Sequence, residues 1–261
     1  SATAATEAVE ETEEVTEEST ESEAEALLEE GEAYYNGKDG AEPDYVKAME
    51  CYQKAADMGS AEAFNKMGVM YYFGNSVEVD YAKAMEYFQQ AADGGSASAL
   101  NNIAAMYKNG IAGETNYAKA MEYYQKSADM GDAYAMCEIG LMYYEGKNVE
   151  VDYAKALEYF QKASDAGDAY ATNMLGMMYQ NGSDYGIEPD YAKAMEYYKQ
   201  AADAGNTNAM VNISMMYFNG MGVDVDYNEA LKWTMMAKEH GMTGLDENIE
   251  MLKSLGATYN E

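Results

Sequence analysis

The residues of this chain that could do chemistry are one histidine, two cysteines, 22 methionines and 47 carboxylates. His240 is the single imidazole, and no cysteine lies near it in sequence, so it makes a poor zinc site or general base. A nucleophilic triad needs such a base, and the chain has no S-x-x-K motif and no glycine-rich phosphate loop. We therefore predict that the protein is not an enzyme and has no catalytic residue.

Metal binding through thioethers or carboxylates is the next possibility. Methionines could bind Cu(I), but they recur at two fixed repeat positions on apolar stripes, which indicates core filling. Acidic loops such as "SVEVDY" and "NVEVDY" lack the spaced oxygen ligands and the central glycine of a calcium loop. We predict no metal site and no cofactor.

The net charge of the chain limits the classes of molecule that it can bind. The chain carries 16 basic residues, all of them lysine, and its formal net charge is −31. Such a charge repels phosphate backbones, and without arginine there is no bidentate fork for phosphate, so nucleic acid is excluded as a partner. No apolar run approaches the roughly 20 residues that span a bilayer, and we predict no transmembrane segment.

Residues 1–23, "SATAATEAVEETEEVTEESTESE", differ from the rest of the chain. They are rich in Glu and Thr and contain no aromatic residue or lysine, so they cannot bury enough apolar surface to offset chain entropy. We predict a disordered acidic linker. Such a spacer suits a tether between a lipid anchor upstream of residue 1 and a folded domain. We expect an extracytoplasmic or cell-surface location on this basis, with a cytoplasmic location as the alternative.

Two phrases alternate through the remaining sequence. "DYAKAMEYFQQAADGG" has five other versions, and their shared tyrosines are 36, 36, 36, 38 and 36 residues apart. Between them lies a phrase such as "AYAMCEIGLMYYEG". Each phrase has apolar residues at helical spacing, a capping side chain before it and a glycine after it, so each predicts one helix. The repeated tyrosines are Tyr45, Tyr81, Tyr117, Tyr153, Tyr191 and Tyr227.

Six two-helix units of about 36 residues predict an all-α fold, a right-handed α-solenoid of six helix–turn–helix repeats over residues 24–241. The helix pairs are expected at 24–58, 60–94, 96–130, 132–166, 168–204 and 206–240. Residues 242–261 have Leu245, Ile249, Leu252 and Leu255 at helical spacing, which predicts a capping helix and a C-terminal tail.

A small residue recurs in the middle of the first helix of each pair, where glycine costs about 1 kcal/mol in helix propensity. We therefore predict that the second helix of the same pair approaches the backbone closely at this point. The residues are Gly31, Gly68, Ala104, Gly140, Gly176 and Ser214.

The two phrases together, A-x-A-x-x-x-L/I/M-G-x-M-Y-x-x-G and D-Y-x-K-A-x-x-Y-Y-x-K-A-A-D-x-G, resemble the Sel-1-like repeat, a relative of the tetratricopeptide repeat. The resemblance implies curved stacks of helix pairs that act as adaptors in protein complexes. Some secreted bacterial relatives carry one disulfide per repeat. Here Cys51 and Cys137 stand about 2.4 repeats apart, too far to pair, and we predict that both are core thiols.

If the repeated positions build the core, the variable positions face outward. In tetratricopeptide-like arrays the first helices line the concave side, and their variable positions here are unusually apolar. We predict a Tyr/Met-rich groove there, with packing between neighbouring repeats as the alternative. The predicted groove residues are Tyr72, Tyr134, Leu141, Tyr144, Tyr170, Met174, Met177, Val211, Met215 and Phe218.

Two functions fit this groove. The first is a scaffold that binds a protein or peptide, whose basic flanks would be steered by the negative field. The second is an extracytoplasmic carbohydrate- or cell-wall-binding module, because tyrosine faces beside asparagine amides can stack on sugars and hydrogen-bond to them.

Overall fold

The structure, a computed structural model, describes residues 20–111 and 113–259, except for the side chain of residue 39. The chain divides into a first unit, which ends at Met130, and a second unit, which begins at Gly131. Each unit holds three helix pairs, and the described residues contain no strand. The predicted all-α fold of six helix–turn–helix repeats is confirmed.

The helices of the first unit are α1 to α6, and those of the second unit are α7 to α13. The bounds are α1 (20–36), α2 (Tyr45–Asp57), α3 (Ala61–Phe73), α4 (Tyr81–Asp93), α5 (Ala97–Lys108), α6 (Tyr117–Asp129), α7 (Ala133–Glu145), α8 (Tyr153–Asp165), α9 (Ala169–Gln180), α10 (Tyr191–Asp203), α11 (Thr207–Asn219), α12 (Tyr227–Glu239) and α13 (Asp246–Ser254). The odd-numbered helices up to α11 are the first members of the pairs and are called A helices; their partners are called B helices.

The predicted linker overlaps the first helix. Residues 1–19 lie outside the described residues, and residues 20–23 belong to α1.

Capping side chains fix where the helices begin. The Asp152 carboxylate accepts a hydrogen bond from the backbone N–H of Lys155 at 3.0 Å, and Asp80 accepts one from Lys83 at 2.9 Å. Each bond satisfies an N–H group that has no partner within its own helix. The aspartate before a "Y-x-K-A" phrase, or Asn116 in the case of α6, therefore sets the first residue of the B helix.

We expect Asp152→Ala to lower the free energy of unfolding by about 1 kcal/mol, because the N–H of Lys155 loses its acceptor. Glu150→Ala is the matched control, since Glu150 is an exposed carboxylate in the same loop and does not cap α8. Urea unfolding followed by circular dichroism measures both. Equal effects of the two changes would contradict the capping role.

In four of the pairs, the glycine in the middle of the A helix faces an aromatic ring of the B helix. A Cβ atom on Gly140 would lie 2.8 Å from the Phe160 ring, and one on Gly176 would lie 2.6 Å from the Tyr198 ring. In the last pair a smaller partner replaces the aromatic ring, and Ser214 and Thr234 share a 2.8 Å hydrogen bond. The predicted close approach of the paired helices is confirmed.

The core runs along these pairs. Methionine fills one A-helix position in five repeats, and each of these side chains is buried. The positions are Met70, Met106, Met142, Met178 and Met216. The interpretation of these residues as core filling is confirmed, since an unbranched thioether adapts to irregular gaps between helices.

The last helix, α13, covers the end of the final pair. Leu245, Ile249 and Leu252 are buried in the same cluster as Leu231 of α12. The tail is fixed as well, because the Thr258 backbone N–H donates to Asn228 at 2.8 Å. Without α13, the apolar side of the last pair would face water.

Candidate interaction face

The ten residues predicted to line a groove all lie on A helices, but their environments differ. Three are exposed: Tyr134 at 48%, Tyr170 at 43% and Met215 at 50%. Leu141 and Met177 are half-buried at one shared helix position, which Met215 occupies in α11. These five residues of the second unit form what we call the apolar face.

Met174 was predicted to line the groove, and this assignment is wrong. Its side chain is 6% exposed and packs in the core cluster of Leu175 and Phe160. A fully packed thioether cannot contact a partner in this conformation. The alternative reading, packing of variable positions within the array, holds for this residue.

Three predicted residues take part in aromatic packing near the ends of their helices. Tyr72 and Tyr144 make edge contacts with the first tyrosine of the following B helix, with ring centroids 5.4 Å and 5.6 Å apart. Phe218 packs against Tyr227 at 5.6 Å. All three are half-buried, as is Val211, and the three ring contacts join the A helix to the B helix of the same pair.

Tyr185 was not predicted, and it contacts this region directly. Its hydroxyl lies 2.9 Å from that of Tyr144, and its ring centroid is 5.0 Å from that of Tyr153. The sequence signal for a different loop is the 38-residue interval, and the longer loop contains a four-residue 3-10 turn at Gly182–Tyr185. Gly182, the glycine that follows α9, lies within this turn, and Gly186 takes the left-handed conformation with φ 73°.

Asparagine side chains join neighbouring A helices within each unit. Asn102 donates to Asn65 at 2.8 Å in the first unit, and Asn212 donates to Asn173 at 2.9 Å in the second. Between α7 and α9 the same pair of positions holds Cys137 and Met174, which pack in one cluster. At this pair of positions the contact between α7 and α9 is therefore apolar, whereas the α3–α5 and α9–α11 contacts are polar.

Charge is distributed unevenly between the two sides of the second unit. The helices α7, α9 and α11 contain no lysine. Their only acidic residues are Glu138 and Glu145, both in α7. Lysines of the B helices lie over tyrosine rings of the A helices. The Nζ atom of Lys155, for example, is 4.9 Å from the centroid of the Tyr143 ring. The A-helix side is therefore aromatic and anionic.

The environment of Tyr170 reflects this distribution. Burial raises the pKa of its phenol, and the negative charges of Glu145 and Glu138 raise that pKa further. The phenol of Tyr170 therefore stays protonated and neutral at physiological pH.

The remaining reactive side chains, those of the histidine and the two cysteines, have structural roles. The His240 Nδ1 donates to the Met236 carbonyl at 2.9 Å, at the C-terminal end of α12. Cys51 and Cys137 are 7% and 4% exposed, and burial raises the pKa of the Cys51 thiol. Both cysteines are thus core residues, as predicted.

The first unit contains cavities beside α1, and two of them are lined by aromatic and charged residues. One of about 700 Å³ is bounded by α1 and the start of α2, including Tyr34 and Lys47. The other, of about 240 Å³, lies between α1 and α3 and contains the 2.6 Å ion pair of Lys66 and Glu32. None of the ten predicted residues lines either cavity.

Over the residues that the structure describes, no group of three or more His, Cys, Asp or Glu side chains is arranged to hold a metal ion. Within the same residues, no helix is both long enough and apolar enough to cross a membrane.

Comparison with known proteins agrees with this architecture. The Sel1 repeat family model matches six consecutive segments: residues 24–60, 61–96, 97–132, 133–168, 169–206 and 207–242. The search of curated proteins found no match.

Several solved structures are similar to this chain. A Sel1 repeat protein from Oxalobacter formigenes is 34% identical, with a TM-score of 0.76 over 83% of this chain and 87% of that one. The protective antigen c5321 of uropathogenic Escherichia coli, which has an SLR fold, is 28% identical, with a TM-score of 0.75 over 95% of this chain. The present chain spans 53% of that antigen's length.

The immunity protein Pa5087 of Pseudomonas aeruginosa is 23% identical, with a TM-score of 0.58 over 83% of this chain and 81% of that one, and shares the fold. Sel1 repeat proteins are in general non-catalytic scaffolds for protein interactions. With six matched repeats over residues 24–242, the chain belongs to the Sel1 repeat family.

Proposed function

We propose that the protein binds a polypeptide segment of a partner protein along the apolar face of the second unit. The observation that carries this proposal is the exposure of Tyr134, Tyr170 and Met215 on neighbouring A helices. The corresponding positions of the first unit hold Glu62, Ser98 and other smaller or polar residues. Exposed apolar side chains gathered on one face are typical of a binding surface.

Aromatic and thioether side chains suit this task. Tyrosine gives a large contact area at a small entropic cost, and it is enriched among the residues that dominate binding energy. Methionine adapts its shape to different partners. The apolar face therefore combines rigid rings with an adaptable border formed by Met177 and Met215.

The partner segment is expected to carry positive charge. The formal net charge of −31 and the absence of arginine steer basic segments toward the protein and repel acidic ones. Steered association slows as ionic strength rises, because salt screens the attraction.

The carbohydrate-binding alternative finds less support. Asn173 and Asn212 hydrogen-bond to each other, as do Asn65 and Asn102, so part of their capacity to bond sugar hydroxyls is already used. Salt separates the two functions: binding of a neutral glycan should respond little to ionic strength. The extracytoplasmic location stays a prediction.

Affinity capture with matched variants tests the proposal. We expect the immobilised protein to retain a partner from the source organism's extract, and both Tyr170→Ala and Met215→Asp to reduce its retention at least tenfold. Val225→Asp is the control, because Val225 is 53% exposed in the same unit but lies in a loop outside the apolar face. Equal losses in all three variants, or none in the first two, would refute the proposal.

A further inference from the structure

The cavity of about 240 Å³ between α1 and α3 contains a buried tyrosine without a hydrogen-bond partner. Tyr52 of α2 lines this cavity, and its side chain is 1% exposed. Among the residues that the structure describes, none forms a hydrogen bond with its hydroxyl. Such a hydroxyl destabilises the fold unless a molecule in the cavity supplies the missing bond. The cavity therefore offers a polar group to a ligand.

The equivalent positions of other helix pairs show that this hydroxyl is not a requirement of the fold. In α8 the position holds Phe160, which has no hydroxyl. In α10 it holds Tyr198, whose hydroxyl donates to Gln180 of the paired A helix at 2.8 Å. The residue of α1 that corresponds to Gln180 is Tyr35. Tyr52 thus lacks the amide partner that Tyr198 has.

The charges that line the cavity already neutralise one another in part. The Lys66 ammonium lies 2.6 Å from the Glu32 carboxylate, and Glu62 is 3.8 Å from the same ammonium. An anionic ligand would compete with these carboxylates, and the formal net charge of −31 repels it. A cationic ligand would approach the positive charge of Lys66. The cavity therefore favours an uncharged polar group.

Both hydrogen-bond donors and acceptors line the cavity. Burial, together with the charge of Glu32, raises the pKa of Tyr52, so its hydroxyl remains a donor at physiological pH. The side chain of Asn36 is half-buried, makes no hydrogen bond with a described residue, and has one accepting oxygen and a donating NH₂ group. A carboxamide ligand likewise combines an accepting oxygen with a donating NH₂ group and has no charge.

Sugar hydroxyls also donate and accept, but the two rings that line the cavity are packed against the protein. A Cβ atom on Gly31 would lie 2.5 Å from the Tyr52 ring, and the Tyr35 ring centroid is 5.2 Å from that of Tyr45. A sugar ring would need an open aromatic face on which to stack. A carboxamide needs hydrogen-bonding groups only.

We propose that this cavity binds the carboxamide side chain of a glutamine or asparagine in a partner polypeptide. The Tyr52 hydroxyl donates to the amide oxygen, and Asn36 or Glu32 accepts from the amide nitrogen. A polypeptide is the source of the amide because Sel1 repeat proteins are in general scaffolds for protein interactions. This inference goes beyond the proposed function, since the cavity belongs to the first unit and the apolar face to the second.

Three probes of similar length test the site without knowledge of the partner. They are the N-acetyl methylamides of glutamine, of glutamate, which carries a charge instead of the NH₂ group, and of methionine, which is apolar. Each is titrated into the full chain carrying ¹³C-labelled tyrosine, and the ring resonances of Tyr52 and Tyr35 are followed by NMR. We expect the glutamine probe to bind about 5-fold more tightly than either of the others, as one added hydrogen bond provides.

Variants assign this preference to the cavity. Tyr52→Phe removes only the hydroxyl, so we expect an unchanged melting temperature and equal binding of the glutamine and methionine probes, followed through Tyr35. Asn36→Ala should weaken binding of the glutamine probe alone. Tyr198→Phe is the matched control, because it removes a hydroxyl that is bonded to Gln180 in the second unit. We expect this control to keep the full preference.

The site would be refuted by equal binding of the three probes, by tighter binding of the glutamate probe, or by a preference that survives Tyr52→Phe. Tighter binding of methyl β-glucoside than of the glutamine probe would also refute it, because the cavity would then be a sugar site. None of these results affects the proposed function, which is tested through Tyr170 and Met215. Conversely, a failure of affinity capture would leave the carboxamide site standing.

Discussion

Leu252→Ala is expected to lower the free energy of unfolding by about 2–5 kcal/mol. Leu252 is 2% exposed in α13, where it packs with Ile249 against the last helix pair. Truncation leaves a cavity at the end of the array, and α13 has only nine residues, so its stability depends on this packing. The apolar side of α11 and α12 becomes accessible to water when α13 detaches.

The controls for this change are one residue of the same helix and the residue directly after it. Met251 and Leu255 are 44% and 46% exposed, so alanine at either position should change stability by less than about 0.5 kcal/mol. Urea unfolding followed by circular dichroism compares the three variants. If Leu252→Ala matched the two controls, α13 would not be a packed cap, and the predicted role of residues 242–261 would be wrong.

Gly140→Leu is expected to destabilise the protein by about 2–3 kcal/mol through overpacking. A Cβ atom added at this position would lie 2.8 Å from the Phe160 ring, and a leucine side chain adds three more carbon atoms beyond it. Leucine favours the helix more than glycine by close to 1 kcal/mol, so the steric cost must exceed that gain for the net effect to be negative.

A double-mutant cycle shows whether the clash is with Phe160. Phe160→Ala alone leaves a cavity, and we expect the leucine at position 140 to occupy part of it in the Gly140→Leu/Phe160→Ala variant. The double variant should therefore be more stable than the sum of the two single effects predicts, by about 1 kcal/mol or more. Strictly additive effects would show that these two residues are not packed against each other.

Much of the fold could be predicted from the sequence, because the same two-helix pattern occurs six times along the chain. The cap at Asp152, the small residue at Gly140 and the methionine at Met142 each recur at one position, and the structure gives each the predicted role. Periodicity works here because a helix pair cannot bury its apolar side without a neighbour.

The interaction face could be predicted only in part, since a helical wheel does not show what the next repeat covers. Tyr170 and Met174 lie four residues apart on one side of α9, yet the first is 43% exposed and the second 6%. Burial of Met174 depends on its apolar neighbour Cys137 in the preceding repeat. Tyr185 was missed for a related reason. The sequence shows how long a loop insertion is, but it does not show in which direction a tyrosine of that loop points.

Photo-cross-linking at position 170 tests the central claim most directly, namely that the apolar face is where the partner binds. Benzoylphenylalanine replaces Tyr170 in one variant and Tyr81 in another, and both are irradiated in the source organism's extract. We predict a discrete adduct with one partner protein from position 170 and none of that adduct from position 81. The same adducts from both positions, or an adduct from position 81 alone, would contradict the account.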